Sequence, residues 1–232
     1  MILITIAGNS TRFFDAGYKT VKYKLPIFNG KSILWHILSY INRDEKILII
    51  ANSKFNDSSW ISEICHDLGF NSFLVVEISD TDGQLSSVNQ GLLTSLAQNF
   101  IDPIDPLLIY NGDTIRHIPF NSFVCRDLKC DGLIETFTAN GNHWSFVDSL
   151  GLVGKVTEKQ RISNYCSSGL YAFSSVDLFL KYYNDSYFVN SERFVAPYYN
   201  VLISNGHVVK SINSNFSNFT LCGTPKEYEN SI

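Results

Sequence analysis

Apolar residues in the first half of the chain fall into short continuous runs separated by segments of helical spacing. Four runs are typical of strands buried on both faces, at 2–6, 47–51, 73–78 and 107–110. Three intervening segments have helical spacing, at 33–41, 57–68 and 88–100. Ser32 is suited to cap the first of these helices. This alternation predicts a doubly wound, largely parallel sheet.

The second half has a different pattern. Short strand-like runs separated by turns lie at 132–138, 143–148, 153–157 and 169–173. Two helices and two closing strands are predicted after them, at 176–183, 192–204, 207–212 and 218–221. We therefore predict one Rossmann-like α/β domain over 1–232, with a mainly parallel mixed sheet. Its halves are a region of about 1–115 and a β-rich region of about 116–232.

Composition narrows the class of protein. Hydrophobic residues make up 45% of the 232 positions and charged residues 17%, which is enough for a core and argues against disorder. The net charge of -4 argues against nucleic acid as a partner. The apolar stretch at 2–7 is too short for a signal sequence or a membrane span, so we expect a cytoplasmic protein without a membrane partner.

The five cysteines are scattered and odd in number, and they form no C-x-x-C pair. This pattern argues against a disulfide framework or a structural zinc site and favours buried, reduced thiols.

The loop after the first strand has the residue types that bind phosphate. Small residues at 7–11 precede Arg12, and Lys22 follows in the same loop. Small residues let main-chain N–H groups approach phosphate oxygens, and the cations neutralise the remaining charge. Neither standard phosphate fingerprint is present. An ordinary surface loop with solvated cations therefore remains an alternative.

Two further polar segments should lie beside this loop, because the ends of parallel strands meet at one edge of a sheet. They are Gly83-Gln84 and Asn111-Gly112-Asp113. A carboxylate at a strand end suits Mg²⁺ that is also bound by substrate phosphates. The alternative for Asp113 is a turn residue or a helix cap.

Several segments resemble the sugar-phosphate nucleotidylyltransferases, or NDP-sugar pyrophosphorylases. Residues 7–13 resemble that family's A-G-x-G/S-S/T-R-F loop, and residues 17–23 resemble its G-Y-x-x-P-K segment with Val21 in place of proline. Further matches to its segments follow in order at 29–32, 82–88, 111–113, 144–147, 156–159, 168–173 and 223–225. The resemblance implies a GT-A-like nucleotidyltransferase fold and transfer of a nucleotide from an NTP to a phosphorylated acceptor.

The resemblance also implies roles for individual residues. Arg12 and Lys22 would be catalytic, and Asp113 would bind Mg²⁺. The implied nucleotide-binding residues are Ala7, Gly8, Asn9, Ser10, Thr11, Gly83, Gln84 and Asn111. The implied acceptor-binding residues are Trp144, Glu158, Lys159 and Gly169. Trp144 could instead fill the core, and Lys159 could form an exposed pair with Glu158.

Within the family, the chain is most similar to the capsule-cluster CTP:phosphoglutamine cytidylyltransferases. That similarity implies CTP and phosphoglutamine as substrates, in bacterial capsular polysaccharide modification. A sugar 1-phosphate with CTP, UTP or dTTP is the alternative, and a GT-A-type glycosyltransferase or a non-catalytic nucleotide-binding regulator also stays open.

The chain departs from the family at one metal ligand. The family commonly has a second metal-binding aspartate just before the terminal G-T-P, and this chain has none there. Either Asp113 binds the metal with water and phosphates only, or another carboxylate such as Glu192 or Asp177 replaces the aspartate. Loss of catalysis in a binding-only relative is the third alternative. The sequence alone assigns no oligomeric state, and it assigns no role to His117 or His143.

Overall fold

A ten-stranded mixed sheet forms the centre of the computed structural model, which describes residues 1–120 and 128–232. The prediction of an α/β fold with a mostly parallel central sheet is confirmed. Cys125 lies outside the described residues. Cys65, Cys166 and Cys222 are buried reduced thiols, as expected, whereas Cys130 is only partly buried.

The strands of the first half are β1 Ile2–Ile6, β2 Pro26–Ile27, β3 Lys31–Ser32, β4 Ile47–Asn52, β5 Phe73–Ile78, β6 Leu107–Asn111 and β7 Thr114–Arg116. The strands of the second half are β8 Gly132–Thr138, β9 Ser145–Val147, β10 Gly151–Leu152, β11 Val156–Glu158, β12 Tyr165–Phe173, β13 Val209–Asn213 and β14 Phe219–Leu221. The helices are α1 Thr11–Asp15, α2 Ile33–Ser39, α3 Ser58–Asp67, α4 Gln84–Ala97, α5 Val176–Lys181, α6 Val195–Ser204 and α7 Pro225–Glu229.

The parallel part of the sheet has the strand order β6-β1-β4-β5. The chain runs from β1 outward to β4 and β5 and then returns to the other side of β1 as β6. This reversal creates a crevice beyond the carboxyl ends of β1 and β6, where doubly wound sheets bind ligands.

The β-rich second half continues the same sheet. β12 pairs antiparallel with both β6 and β8, and β13 lies parallel to β8. The register between β12 and β8 shifts between Ser167 and Tyr171. This irregularity lies beside the end of β6, and such bulges often redirect side chains near functional sites.

Alternate residues of the central strands pack on opposite faces of the sheet, as strand geometry requires. Ile2 and Ile4 belong to the core that α2 and α3 cover, and Leu3 belongs to the core that α4 and α6 cover. Both faces are therefore buried, which explains the continuous apolar runs.

The structure differs from the sequence expectations mainly at short elements. Periodicity did not predict α1, β2, β3, β7, β10 or α7, because two to five residues are too few to show a period. The Ser32 side chain accepts a hydrogen bond from Trp35 N–H, so its predicted role as a helix cap is confirmed. Within the described residues, no helix is both long and apolar enough to span a bilayer.

Candidate functional site

Lys22 and Asp113 meet at the carboxyl end of β6. The Nζ atom of Lys22 lies 2.6 Å from Oδ2 of Asp113, and both side chains are partly exposed. Asp113 occupies the turn between β6 and β7, and Lys22 begins a short 3-10 turn. The main-chain N–H of Lys22 donates to Oγ of Ser10, 3.1 Å away. The loop after β1 is therefore tied to the strand that carries Asp113.

The loop after β1 passes through Ser10, whose φ of 53° is left-handed, and continues directly into α1. Arg12, in the first turn of α1, has an exposed side chain. Gly8 and Thr11 are exposed as well, whereas Phe13 is buried in the core and anchors the helix. The loop thus exposes Gly8, Thr11 and one guanidinium to solvent beyond the carboxyl end of β1.

Gln84 connects the strands on either side of the crevice. Its Nε2 donates to Oγ1 of Thr5 at 2.7 Å and to Oδ1 of Asn111 at 2.6 Å. Thr5 belongs to β1 and Asn111 ends β6. The three predicted polar segments therefore come together, and both amide hydrogens of Gln84 are bonded to the protein.

Two close approaches fix the end of β6. Gly112 N–H donates to the Thr5 carbonyl at 3.1 Å, and a Cβ at position 112 would overlap the side chain of Ile6. On the other side, a Cβ at Gly169 would lie 2.5 Å from Nδ2 of Asn111. Gly169 also has a φ of 87°, which favours glycine. These positions fix Asn111 between β1 and β12.

The segment at Gly83 packs against the main chain of Arg193. Arg193 N–H donates to the Asp82 carbonyl at 2.8 Å, and Leu85 N–H donates to the Arg193 carbonyl at 3.0 Å. The Arg193 guanidinium lies over the ring of Phe188, 4.5 Å from its centroid. The start of α4 is thereby joined to the second half of the chain.

The C-terminal segment contributes a carboxylate that the sequence interpretation missed. Cys222 N–H donates to the Asp113 carbonyl at 2.8 Å. A Cβ at Gly223 would lie 3.3 Å from Oδ2 of Asp113 and 3.3 Å from Oε2 of Glu227, so the two carboxylates flank this glycine. Burial and the charges of Asp113 and Glu227 raise the pKa of the Cys222 thiol to about 12.

Glu227 is held by its position in α7. Its carboxylate accepts from Thr224 N–H at 2.9 Å, and Thr224 Oγ1 accepts from Glu227 N–H at 3.2 Å. The T-x-x-E spacing of this capping box is readable from sequence and is the signal that was missed. Its proximity to Asp113 is not readable, because more than a hundred residues separate the two.

Neither carboxylate suggested from sequence lies beside Asp113. Asp177 N–H donates to the Pro103 carbonyl at 2.8 Å, just before β6 begins and hence at the opposite edge of the sheet. Glu192 exchanges main-chain hydrogen bonds with Val189, and its charge adds slightly to the raised pKa of Glu158 in the second half of the chain. Glu227 is the carboxylate that faces Asp113 across Gly223.

Glu158 and Lys159 lie at the end of β11, opposite β9. Glu158 is mostly buried and accepts a hydrogen bond from Ser145 Oγ. Burial raises the pKa of Glu158, and the Ser145 hydrogen bond opposes that shift. The Nζ of Lys159 lies 3.9 Å from Oε1 of Glu158 and 4.8 Å from the ring centroid of Phe194. A buried carboxylate thus lies next to a partly exposed cation.

Trp144 has contacts expected of a packing residue. Its indole N–H donates to the Asn140 carbonyl at 3.0 Å, and its ring packs edge-on against Phe137. His143 lies against the Trp144 ring, with 4.2 Å between centroids. The core-filling alternative therefore has direct structural support.

His117 belongs to a separate cluster at the β7–β14 pair. Its Nε2 is 2.8 Å from Thr220 Oγ1, and its Nδ1 is 3.0 Å from the Tyr40 hydroxyl. Burial lowers the pKa of His117, and His36 adds to that shift. Both ring nitrogens have protein partners, as in a structural histidine.

Residues 1–120 and 128–232 contain no group of three or more histidine, cysteine, aspartate or glutamate side chains placed to hold a metal ion. A divalent cation at Asp113 would therefore take much of its coordination from a bound ligand. Mg²⁺ is commonly held this way, by one or two carboxylates and substrate phosphates.

No protein-family model matches the sequence, and no curated protein matches it. Among solved structures, the nucleoside-diphosphate-sugar pyrophosphorylase from Vibrio cholerae RC9 is 30% identical with a TM-score of 0.89, over 99% of this chain and 98% of that chain. The inositol-1-phosphate CTP transferase from T. maritima is 14% identical with a TM-score of 0.67, over 97% and 90% of the two chains. HddC from Yersinia pseudotuberculosis is 16% identical with a TM-score of 0.67, over 99% and 96%. The last two likenesses concern the fold alone.

Proposed function

Because this chain belongs to the nucleoside-diphosphate-sugar pyrophosphorylase family of nucleotidyltransferases, we propose that it transfers a nucleotidyl group from an NTP to a phosphorylated small acceptor. The contact that best supports the proposal is between Nζ of Lys22 and Oδ2 of Asp113, at 2.6 Å. It joins a cation of the loop after β1 to a carboxylate at the end of β6, in the crevice of the sheet.

The proposed reaction is an in-line displacement at the α-phosphorus. An oxygen of the acceptor phosphate forms a new bond to the α-phosphorus, and the bond from that atom to the bridging oxygen of the β-phosphate breaks. Pyrophosphate departs with the electron pair of the broken bond. The nucleophile is already an oxyanion, so no general base is required, and catalysis consists mainly of positioning and charge neutralisation.

Two cations of the opening loop have separate roles in this proposal. The exposed guanidinium of Arg12 can bind the β- and γ-phosphates in its planar fork and stabilise the departing pyrophosphate. Lys22 would leave its contact with Asp113 to bind the α-phosphate, where negative charge increases in the transition state. Ala7, Gly8, Asn9, Ser10 and Thr11 would surround the phosphates.

The residues around Asp113 fit a magnesium ion. The Asp113 carboxylate is partly exposed, and Glu227 adds a second negative charge on the other side of Gly223. Asp113 and the substrate phosphates would hold Mg²⁺, which when bound supplies charge neutralisation and orients the phosphates.

We propose CTP as the nucleotide and phosphoglutamine as the acceptor, in bacterial capsular polysaccharide modification. The groups at the end of β11 are compatible with an amino-acid phosphate. Glu158 offers a carboxylate for an ammonium group, and Lys159 offers a cation for a phosphate or carboxylate. Gly169 keeps Asn111 between the two halves of this site. The partly exposed Trp144, packed beside His143, would contribute to acceptor binding.

A sugar 1-phosphate is the second candidate acceptor. The 30% identical Vibrio cholerae RC9 protein is named as a nucleoside-diphosphate-sugar pyrophosphorylase, which favours this candidate. A buried carboxylate such as Glu158 can accept hydrogen bonds from sugar hydroxyls as well as from an ammonium group.

A pyrophosphate-release assay tests both candidates. CTP, UTP, dTTP and ATP are each combined with Mg²⁺ and either phosphoglutamine or a set of sugar 1-phosphates. We expect release that depends on both CTP and phosphoglutamine. Release with a sugar 1-phosphate alone would replace the acceptor and keep the reaction. Cleavage of a nucleotide sugar without any pyrophosphate release would contradict the transferase.

A further inference from the structure

A hydrogen-bonded network links the ends of three parallel strands beside the loop after β1. Nδ2 of Asn52, at the end of β4, lies 2.7 Å from Oδ1 of Asp80, which follows β5. The same Nδ2 lies 3.1 Å from the Ala7 carbonyl and 3.4 Å from Oδ1 of Asn9, both after β1. Asn52 is 1% exposed, so this amide is a fixed part of the interior.

Asp80 is the exposed end of this network. Asp80 is exposed, and hydrogen bonds from Asn52 and then Asn9 lower its pKa. Lys54 adds a smaller shift in the same direction. At neutral pH the carboxylate is therefore ionised, oriented by two amides and able only to accept hydrogen bonds.

The nearby Gln84 side chain directs its amide group toward β1 and β6. The amide hydrogens of Gln84 are bonded to Thr5 and Asn111, so this side chain positions the end of β6. In the proposed function, Gly83 and Gln84 would therefore contact the nucleotide through their main chain.

Asp80 and Asp82 are exposed carboxylates in the loop after β5. Asp82 lies 3.8 Å from Nε of Arg193, whereas Asp80 is held by the Asn52 amide and faces no cation at such a distance in the described chain.

We propose that Asp80 selects the nucleotide by accepting a hydrogen bond from an exocyclic amino group of the base, with Asn9 and Asn52 as positioning residues. The inference rests on the proposed nucleotidyl transfer and names the base class that this site accepts. Cytosine presents such a group at N4, and adenine presents one at N6.

The same geometry disfavours uracil and thymine. These bases present the O4 carbonyl oxygen where cytosine has its amino group, so two acceptors would face each other. An unpaired acceptor opposite a fixed carboxylate is a repulsive contact, and repulsion against the wrong ligand is an efficient source of specificity. We therefore expect CTP and ATP to be accepted in preference to UTP and dTTP.

The test compares wild type, Asp80→Asn and Asp80→Ala by two measurements. The first is kcat/KM for CTP, ATP, UTP and dTTP in pyrophosphate release, and the second is the Kd of each nucleotide for the protein without acceptor. Asp67→Asn is the matched control, because Asp67 is exposed at the end of α3, away from the strand ends. CTP and dCTP are also compared, since a carboxylate can bind a ribose hydroxyl instead.

In wild type we expect a preference for CTP over UTP of at least about tenfold. Asp80→Asn should reduce that ratio by about tenfold or more, because an amide can donate to O4 as well as accept. Asp67→Asn should leave it unchanged. CTP rather than ATP as the preferred substrate would identify cytosine as the base read by Asp80.

Other outcomes overturn the inference. An unchanged CTP:UTP ratio in both Asp80 variants, or an altered CTP:dCTP ratio alone, removes Asp80 from base selection while leaving the transfer reaction intact. Selective CTP binding that Asp80→Asn abolishes, without any pyrophosphate release, supports the base subsite and rejects the transfer reaction. Neither binding nor release with any NTP rejects both.

Discussion

The ammonium group of Lys22 and the carboxylate of Asp113 form an ion pair of 2.6 Å across the crevice between the first loop and β6. Both side chains keep about a fifth to a quarter of their surface exposed, at 21% and 25%. Exposed ion pairs contribute little to stability, typically about 0–1 kcal/mol. In the proposed function, the two groups neutralise each other until a charged ligand separates them.

Replacement of Lys22 tests its role at the α-phosphate. Lys22→Ala should lower kcat by about 10²–10³-fold, because a cation aimed at developing charge is removed, while NTP binding stays measurable. Steady-state pyrophosphate release and nucleotide titration measure the two effects. Lys19→Ala, in the same loop and exposed, is the control and should retain near-normal turnover. Equal rates in both variants would exclude Lys22 from catalysis.

Replacement of Asp113 tests the metal site. Asp113→Asn should abolish Mg²⁺-dependent turnover, with a loss of at least about 10²-fold, because the remaining ligands are too few to hold the ion. A magnesium titration of the reaction rate gives the result. Asp44→Asn removes an exposed carboxylate elsewhere and should leave the titration unchanged. A normal magnesium response in Asp113→Asn is the result that contradicts the assignment.

Glu227 can be changed without loss of its helix cap, since glutamine also occupies this position in capping boxes. Glu227→Gln should leave the free energy of unfolding within about 0.5 kcal/mol of wild type. The half-saturating Mg²⁺ concentration should rise about tenfold, because one nearby negative charge is lost. Urea unfolding and rate titration measure these quantities. An unchanged magnesium response limits Glu227 to capping.

Gly169 and Gly151 form a matched pair with positive φ values of 87° and 79°. A Cβ at Gly151 meets no atom within 4 Å, whereas one at Gly169 would lie 2.5 Å from the Asn111 amide. Gly151→Ala should therefore cost about 1–2 kcal/mol of unfolding free energy from backbone strain alone. Gly169→Ala should cost about 2–4 kcal/mol and also weaken NTP binding, because Asn111 is displaced. Similar losses of unfolding free energy in the two variants would show that Asn111 can move aside without destabilising the fold.

The raised pKa of Glu158 predicts the direction in which the free energy of unfolding changes with pH. Burial raises its pKa in the folded protein, so the folded state binds more protons than the unfolded state in the window above the ordinary glutamate pKa. The free energy of unfolding contributed by this group therefore falls as pH rises through that window. Urea titrations of wild type and Glu158→Gln at several pH values give the difference. If wild type instead gains unfolding free energy relative to Glu158→Gln as the pH rises, the raised pKa of Glu158 is contradicted.

The sequence predicted the elements that place the crevice, because continuous apolar runs such as 47–51 are typical of strands buried on both faces. It also predicted that the loop containing Lys22 would meet Asp113, since parallel strand ends share one edge. It did not predict the inward direction of the Gln84 amide, which depends on the distance between β1 and β6. The Asn52–Asp80 contact and the position of Glu227 were missed for the same reason, because tertiary packing brings distant segments together.

The antiparallel pairing of β6 with β12 fixes the two halves of the crevice relative to each other. Register pairs such as Tyr110 with Leu170 join the strand that leads to Asp113 to the strand that carries Gly169. Main-chain hydrogen bonds, rather than a flexible hinge, therefore set the separation between the two halves of the crevice. In the proposed function, exchanging side chains on β9 and β11 would change the acceptor while the reacting groups keep their spacing.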